Sequence, residues 1–297
     1  MSESREGSES GQAAEVEAGV RPLESTIRTD MSSTMSYGDY LDLERILSAQ
    51  HPLSQPAHHD ELLFIIQHQT TELWLKLILH ELIAVRDHLD ADEILPSLKG
   101  LARVKHIMRT ITEQWSVLAT LTPSEYSEFR HFLGSSSGFQ SYQYRAIEFI
   151  LGNKNARMLS LFESDPEAHE LLTGLLAEPT IYDAFLRLMA RRGHAIPQSV
   201  LDRDVTQAWV EVPELIPVFK AVYEDPESHW DLYEASETLV DLEDAFHFWR
   251  FRHMRTVQRT IGFKTGTGGS SGVAFLKRAL DLSFFPELLS LRTEIGS

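Results

Sequence analysis

The sequence predicts an all-α fold, a single domain built on a bundle of long helices with additional short helices. Apolar residues recur at three- and four-residue steps over long stretches without proline or glycine, as they do on one face of a helix. No stretch alternates apolar and polar residues with the period of two that is typical of a half-buried strand. Together these two observations favour packed helices over any sheet.

The predicted elements begin after a polar N-terminal tail. Residues 1–24 carry six Glu and two Arg and few large apolar side chains, which is typical of a solvated, disordered segment. We therefore predict a disordered acidic tail over residues 1–24 and one helical domain over residues 25–297, with helical patterns from about residue 39 onward.

Two long helices come first in the predicted bundle. Residues 60–89 contain neither Pro nor Gly, and they begin with Asp60, a candidate N-cap. Residues 96–120 place apolar side chains at alternating steps of three and four, which indicates the seam of a bundle helix.

Shorter helices follow. Thr122 and Glu125 form a capping box around Pro123, and Gly134 ends that short helix. The remaining predicted helices share apolar spacing of helical period, and they cover residues 140–151, 156–163, 166–177, 180–191, 227–261 and 272–282. Of these, 227–261 is the longest, and Gly262 is its expected C-terminal stop.

The composition excludes several classes of function. The 297 residues include 27 Lys and Arg against 44 Asp and Glu, a net charge of −17. Phosphate backbones and anionic membrane surfaces both attract basic faces, so we expect neither a nucleic-acid nor a membrane partner. No stretch approaches the roughly 20 apolar residues of a membrane span, and the N-terminus lacks the apolar core of a secretory signal. The expected location is cytoplasmic.

Cysteine is absent, whereas histidine occurs 13 times. The absence excludes disulfides, thiolate nucleophiles, Cys-ligated zinc, iron–sulfur clusters and thiolate-ligated haem. Any metal or haem chemistry must therefore use His, carboxylate or other oxygen ligands.

Two clusters in the first half of the chain are candidates for chemistry. Phe64 and His68 are four residues apart and share a helix face, although a single histidine there is commonly a hydrogen-bonded interior residue. Tyr126 and Arg130 are also one turn apart, and a guanidinium with a tyrosine hydroxyl beside it can clamp a carboxylate. The alternative for Arg130 is a surface arginine on an amphipathic helix.

A third cluster lies in residues 246–264, which carry five basic residues and no acidic one. On a helical wheel Phe246, Trp249, His253 and Val257 share one face, with arginines on either side. A neutral imidazole in an apolar slot with nearby cations suits haem, which needs an axial ligand and partners for two propionates. The alternative is that His253 is a core histidine and that the arginines pair with acidic residues of other helices.

A glycine-rich loop over residues 262–272 follows this helix. Its backbone N–H groups are suited to hold an anion. The glycines also suit a mobile loop that closes over a ligand. A plain flexible connector with the same composition is a third interpretation. A phosphate-binding loop is weakly supported because the segment lacks Gly-Lys-Ser/Thr and no strand precedes it.

The sequence also leaves a di-iron site as an alternative to haem. Glu128 with His131, and Asp244 with His247, have the i, i+3 spacing of ligands in di-iron helical bundles. Glu72 or Glu81 would complete such a site. A di-iron carboxylate bundle is therefore one alternative function, and a non-catalytic haem-binding or haem-sensing bundle is another.

Taken together, residues 35–290 resemble the tryptophan 2,3-dioxygenase family, the haem enzymes that open the indole ring of L-tryptophan. The resemblance depends on five segments in the family's order: PAHHDELLFIIQHQTTELWLKL, LTPSEYSEFRHFLG, SSGFQSYQYR, FRHMRTV and GFKTGTGGSSGVAFL. It implies an oxidoreductase that inserts both atoms of O2 across the indole C2–C3 bond to give N-formyl-L-kynurenine, the first step of tryptophan catabolism by the kynurenine route.

The resemblance also implies residue roles around the cofactor. His253 would be the axial ligand of haem b, held between helices with ferrous iron in the active state. Trp115 and Ser137 would be neighbours of the haem.

For the substrate, the resemblance implies that His68 accepts a hydrogen bond from the indole N–H and that Phe64 lines the indole pocket. Arg130 and Tyr126 would bind the carboxylate, and Thr267 the polar end of the substrate. The family forms homotetramers in which an N-terminal segment reaches a neighbour's site, and Tyr37 would be the residue delivered.

Overall fold

The computed structural model describes residues 21, 23–30 and 33–296, and these ranges contain helices and no strand. The all-α prediction is confirmed. Most of the predicted tail, residues 1–20 and 22, lies outside the described residues. The chain divides into two compact units, Met1–His51 and Pro52–Ser297. The predicted boundary between residues 24 and 25 stays a prediction.

The described residues of the first unit include two short helices, α1 (Tyr37–Leu41) and α2 (Leu43–Leu47). Ser36 caps α1 through a capping box with Asp39. Asp42 joins the two helices in a left-handed conformation, with φ 51°. Because left-handed backbone cannot continue a right-handed helix, the chain turns at this residue.

The second unit carries the long helices. Its α-helices, in chain order, are α3 (Glu61–Asp90), α4 (Ile94–Glu113), α5 (Trp115–Leu118), α6 (Pro123–Phe129), α7 (Tyr142–Leu151), α8 (Pro166–Ala177), α9 (Ile181–Arg191), α10 (Gln198–Leu201), α11 (Ile216–Glu224), α12 (Trp230–Ile261), α13 (Val273–Arg278) and α14 (Pro286–Ser290). Helix α4 packs against both α3 and α12, and α3 also contacts α7 and α9. None of the helices in the described ranges has an 18-residue stretch apolar enough to span a bilayer.

The seam of α4 explains why the bundle forms. Leu101, Val104, Met108 and Ile111 are all buried in the core, as their spacing predicted. Gly100 lets α4 approach α3 closely, since a Cβ atom there would lie 2.5 Å from Val85 Cγ2. A stripe of apolar side chains with one small residue therefore sets the contact between the two helices.

Most predicted helix ends agree with the structure. The capping box at Thr122 is present, and Gly134, Gly152 and Gly262 adopt φ values of 58°, 116° and 64° where helices end. One difference is the predicted helix 96–120, which is interrupted at Gln114 between α4 and α5.

Asp60 occupies the N-cap position of α3, as predicted, but its side chain accepts no capping hydrogen bond. The carboxylate of Glu61 instead accepts from the N–H groups of Leu53 and Ser54, at 2.7 and 3.0 Å. Burial alone would raise the pKa of Glu61, but these donors hold it below its ordinary value. The acidic residue that organises this helix entry is therefore one position later than predicted.

The sequence did not predict the helices α10, α11 and α14. Each has nine residues or fewer, and Pro occupies or adjoins the first turn, so no long apolar period marks them. They close the end of the unit where Glu287 is buried. Its carboxylate accepts from the Tyr182 hydroxyl, the Trp209 indole and the Val212 N–H.

Candidate functional site

One cavity of about 640 Å³ brings the predicted site residues of the second unit together. The predicted residues that line it are Phe64, His68, Trp115, Tyr126, Arg130, Ser137, His253 and Thr267. They come from α3, α5, α6, α12 and the loops beside α6 and α12. The ninth predicted residue, Tyr37, belongs to the first unit, where its side chain is exposed.

Helix α3 presents His68 to the cavity with a defined tautomer. His68 Nδ1 lies 2.7 Å from the carbonyl oxygen of Phe64. Because a carbonyl only accepts, Nδ1 carries the proton in the neutral ring, and Nε2 is left as an acceptor. Burial lowers the pKa of His68, more strongly than this hydrogen bond and the charge of Glu72 raise it. His68 is therefore a neutral hydrogen-bond acceptor at pH 7.

An aromatic wall stands beside His68. The ring of Phe64 lies 4.2 Å from the His68 ring and 5.7 Å from the Tyr126 ring, measured between centroids. Phe129 closes the cluster at 5.8 Å from Phe64 and 5.4 Å from Tyr126. Flat rings at these distances form an apolar surface that suits a planar aromatic ligand.

One nitrogen of the Arg130 guanidinium has a hydrogen-bond partner, and another has none in the described part of the chain. Its Nη2 donates to the carbonyl of Thr265 at 2.6 Å, and its Nε is buried with no hydrogen-bond partner in the described part of the chain. Burial raises the pKa of the Tyr126 hydroxyl, while the charge of Arg130 and a hydrogen bond to it act in the opposite direction. An unpartnered guanidinium N–H beside a neutral phenol is suited to a carboxylate.

The glycine-rich loop closes against the segment after α6. Thr267 Oγ1 donates to the carbonyl of Ser136 at 2.5 Å. Gly268 lies so close to Ser137 that a Cβ atom there would be 2.7 Å from the Ser137 Cβ. The loop thus contacts the segment of Ser136 and Ser137, and a larger residue at 268 would hold it away.

His253 faces the cavity from α12, between two indole rings. The Trp115 ring is parallel to the imidazole, with centroids 4.8 Å apart and planes at 8°, and the Trp249 ring lies 5.4 Å away. Burial, with repulsion from His68 across the cavity, lowers the pKa of His253 to about 4. A buried, uncharged imidazole at an apolar cavity fits an axial haem ligand.

Of the arginines predicted to flank His253, Arg250 lines the cavity. Arg250 is buried and donates to Glu148, to Tyr144 and to the carbonyls of Ala279 and Leu282. Its charge is therefore already paired. Arg145, on α7, was not predicted; it also pairs with Glu148 and lines the cavity, and its Nε has no partner among the described residues.

Sequence reasoning missed this buried network of Tyr144, Arg145, Glu148 and Arg250. The only sequence signal was that Tyr144 and Glu148 are four residues apart and share a face of α7. Their partner on α12 is about 100 residues away in the chain. Burial, with the charge of Glu148, raises the pKa of Tyr144 to about 12.

The di-iron alternative is wrong for this fold. No three His, Asp or Glu side chains in the described ranges converge on a metal position. Glu128 pairs with His58 at 3.0 Å, whereas His247 Nε2 lies 2.9 Å from the carbonyl of Leu282. Asp244 is exposed. The two candidate pairs therefore have other partners or face solvent.

Comparison with known proteins is consistent with this geometry. The family model described as tryptophan 2,3-dioxygenase matches residues 23–174 and 215–295. The tryptophan 2,3-dioxygenase of Rhodococcus jostii (strain RHA1) is 66% identical over 281 residues, which cover 95% of this chain and 99% of that protein. Its namesake in Saccharopolyspora erythraea is 65% identical, covering 94% and 100%, and that of Serratia proteamaculans (strain 568) is 59% identical, covering 93% and 99%.

Proposed function

This chain belongs to the tryptophan 2,3-dioxygenase family, and on that premise we propose that it cleaves the indole C2–C3 bond of L-tryptophan with O2. The product is N-formyl-L-kynurenine, in which both oxygen atoms of O2 are retained. The observation that carries the proposal is the meeting of His253, His68 and Arg130 in one cavity, because these residues are far apart in the sequence.

The cofactor of this proposal is haem b, which His253 would hold through its imidazole. The fit is supported by the neutral state of His253 and by the flat rings of Trp115 and Trp249 beside it. Ferrous haem, when bound, supplies the position at which O2 is activated. Ser137 and Trp115 line the same cavity and are proposed neighbours of the haem.

The residues opposite His253 orient the substrate. The free Nε of Arg130 and the hydroxyl of Tyr126 hold the carboxylate, while the Phe64 ring contacts the indole face. His68 Nε2 accepts the indole N–H, since Nδ1 is occupied by the Phe64 carbonyl. An indole N–H is a very weak acid, so His68 acts by orientation and electrostatic support rather than as an obligatory base. Holding the ring in one pose accounts for several kcal/mol of the barrier.

Thr267 contacts the polar end of the substrate when the loop is closed. Its hydroxyl already reaches the Ser136 carbonyl across the mouth of the cavity, and Arg130 holds the same loop through Thr265. Loop closure therefore brings the carboxylate clamp and Thr267 together and excludes water from the indole.

We also propose a homotetramer in which Tyr37 from one subunit completes the site of another. The support is the family resemblance of the Ser-Tyr-Gly-Asp-Tyr segment and the high exposure of Tyr37, 75%, within a single chain. An exposed tyrosine in a separate compact unit is available to a neighbouring subunit.

The absorption spectrum of the purified, reduced protein with and without L-tryptophan, combined with a product assay, tests the proposed function. We expect an intense haem band and formation of N-formylkynurenine under O2. The variant His253→Ala should lose haem while remaining folded, as judged by circular dichroism. A protein without a haem band contradicts the proposal, and a haem protein that binds O2 but never converts tryptophan is a sensor instead.

A further inference from the structure

Trp115 and Trp249 flank the imidazole of His253, and we propose that these two rings, rather than a hydrogen bond, set the rotational orientation of that imidazole. Both are positioning residues, since they act through His253. This inference rests on the proposed function, because its consequence concerns the ligand of the cofactor.

The two histidines of the cavity are held in different ways. His68 donates from Nδ1 to the carbonyl one turn earlier in α3, at 2.7 Å. Neither ring nitrogen of His253 has a hydrogen-bond partner among the residues that the structure describes. Histidines that bind metals usually donate their second N–H to a carboxylate or carbonyl, which fixes the ring plane. Among the described residues no carbonyl or carboxylate accepts from His253, whereas two indole rings contact its imidazole.

Ring contacts supply the missing constraint. Trp115, on α5, lies parallel to the imidazole at 4.8 Å, and Trp249, one turn before His253 on α12, lies at 5.4 Å with planes at 41°. The two indoles are 5.9 Å from each other. Rotation of the imidazole about its Cβ–Cγ bond would break the parallel stack and drive the ring toward Trp249.

The indoles are themselves held firmly. Trp115 is 5% exposed and Trp249 is 7% exposed, so both belong to the packed core. Neither indole N–H has a partner in the described ranges. The two side chains therefore act on His253 through the faces and edges of their rings, and a phenyl ring at either position keeps most of that contact.

A chemical consequence follows for the ligand. An acceptor on the second nitrogen raises the basicity of a metal-bound imidazole. Because His253 has no such acceptor, we expect it to bind iron as a neutral imidazole with one narrow range of orientations. Loss of the flanking rings should widen that range without changing the identity of the ligand.

The test compares Trp115→Leu and Trp249→Leu with the conservative variant Trp115→Phe and with Trp230→Leu as the matched control. Trp230 is also on α12, but it is exposed and does not line the cavity. The readouts are the linewidths of the ferric electron paramagnetic resonance spectrum and the rate of haem release to haem-free myoglobin. Thermal unfolding separates general destabilisation from an effect on the ligand.

We expect both leucine variants to bind haem, to broaden the ferric resonance lines and to release haem about two- to tenfold faster, as the loss of an aromatic pair predicts. Trp115→Phe should restore narrow lines, and Trp230→Leu should match the unchanged protein. Unchanged linewidths and release rates in both leucine variants overturn the inference while the proposed function stands. If the protein without any substitution carries no haem, both this inference and the proposed function are overturned.

Discussion

At the scale of single residues, the proposed function assigns His253 to a cofactor and His68 to the substrate. His253 is neutral and without a hydrogen bond in the described chain, which leaves a ring nitrogen available to a metal. His68 is neutral with Nδ1 occupied, so only Nε2 is available to a ligand. Two histidines of the same cavity thus have different chemistry because their local partners differ.

Arg130→Ala should raise the KM for L-tryptophan sharply. Removing one partner of a desolvated charge pair typically costs about 2–5 kcal/mol, since the other charge is left unpaired. Steady-state kinetics measure the effect. A comparison with an indole that lacks the carboxylate is the control, because that compound makes no contact with the clamp. Equal losses with both compounds would refute the role of Arg130.

His68→Ala should retain haem and lower kcat/KM by about tenfold, the value of one hydrogen bond. His68→Gln should lose less, because its amide oxygen still accepts. In the unchanged protein the neutral form of His68 is the active one, and its lowered pKa keeps it neutral at and somewhat below pH 6.5. Activity should therefore fall only in more acidic solution, and this acid limb of the kcat/KM profile should vanish in His68→Ala. A haem-free His68→Ala protein would make His68 a ligand instead.

At the scale of elements, the ends of helices carry much of the specificity of the fold. Thr180 caps α9 through a capping box with Asp183, and Arg203 pairs with the same carboxylate at 2.5 and 2.8 Å. Burial alone would raise the pKa of Asp183, but the hydrogen bonds and charge of Arg203 and the donors of Thr180 hold it below its ordinary value. One carboxylate thus joins a helix start to a loop 20 residues later.

Asp183→Asn should lower the free energy of unfolding at pH 7 by about 3–5 kcal/mol, because Arg203 loses its partner in a mostly buried site. A lowered carboxyl pKa stabilises the fold at pH above 3.8 and loses that contribution as the pH falls below it. The difference between the two proteins in urea titrations should therefore shrink toward pH 3. Asp202→Asn is the control, because Asp202 is exposed. A difference that is independent of pH contradicts the role of the ion pair.

At the scale of the whole molecule, the proposed site depends on more than one chain. Eight predicted residues lie in the unit Pro52–Ser297, whereas Tyr37 belongs to Met1–His51. In a symmetric oligomer, each subunit gives and receives the same segment. A tyrosine supplied by a neighbour makes activity a property of the assembly.

Mixed oligomers test this arrangement. Neither Tyr37→Ala nor His253→Ala should be fully active alone, but co-expressed subunits in equal amounts should regain about a quarter of the sites, those with His253 from one chain and Tyr37 from another. Co-expressed His253→Ala and Arg130→Ala subunits are the control, since both residues act within one chain. No recovery in the first mixture would mean that Tyr37 does not act between subunits.

The sequence by itself determined the helical class, the seam of α4 and most helix ends. These features are local, since spacing, capping and glycine conformation depend on neighbours within a few positions. The family resemblance added the identity of the chemistry, because its five motifs occur in order.

Only the tertiary structure decided which side chains meet. Glu148 and Arg250 are 102 residues apart, and Trp115 stacks on His253 across two helices. The spacing of apolar residues in the sequence does not predict such contacts, because they form only when separate helices pack against each other. The same packing argues against the di-iron alternative. Glu128 contacts His58, and His247 contacts the carbonyl of Leu282. The sequence thus determined the elements and the candidates, and packing decided the partners.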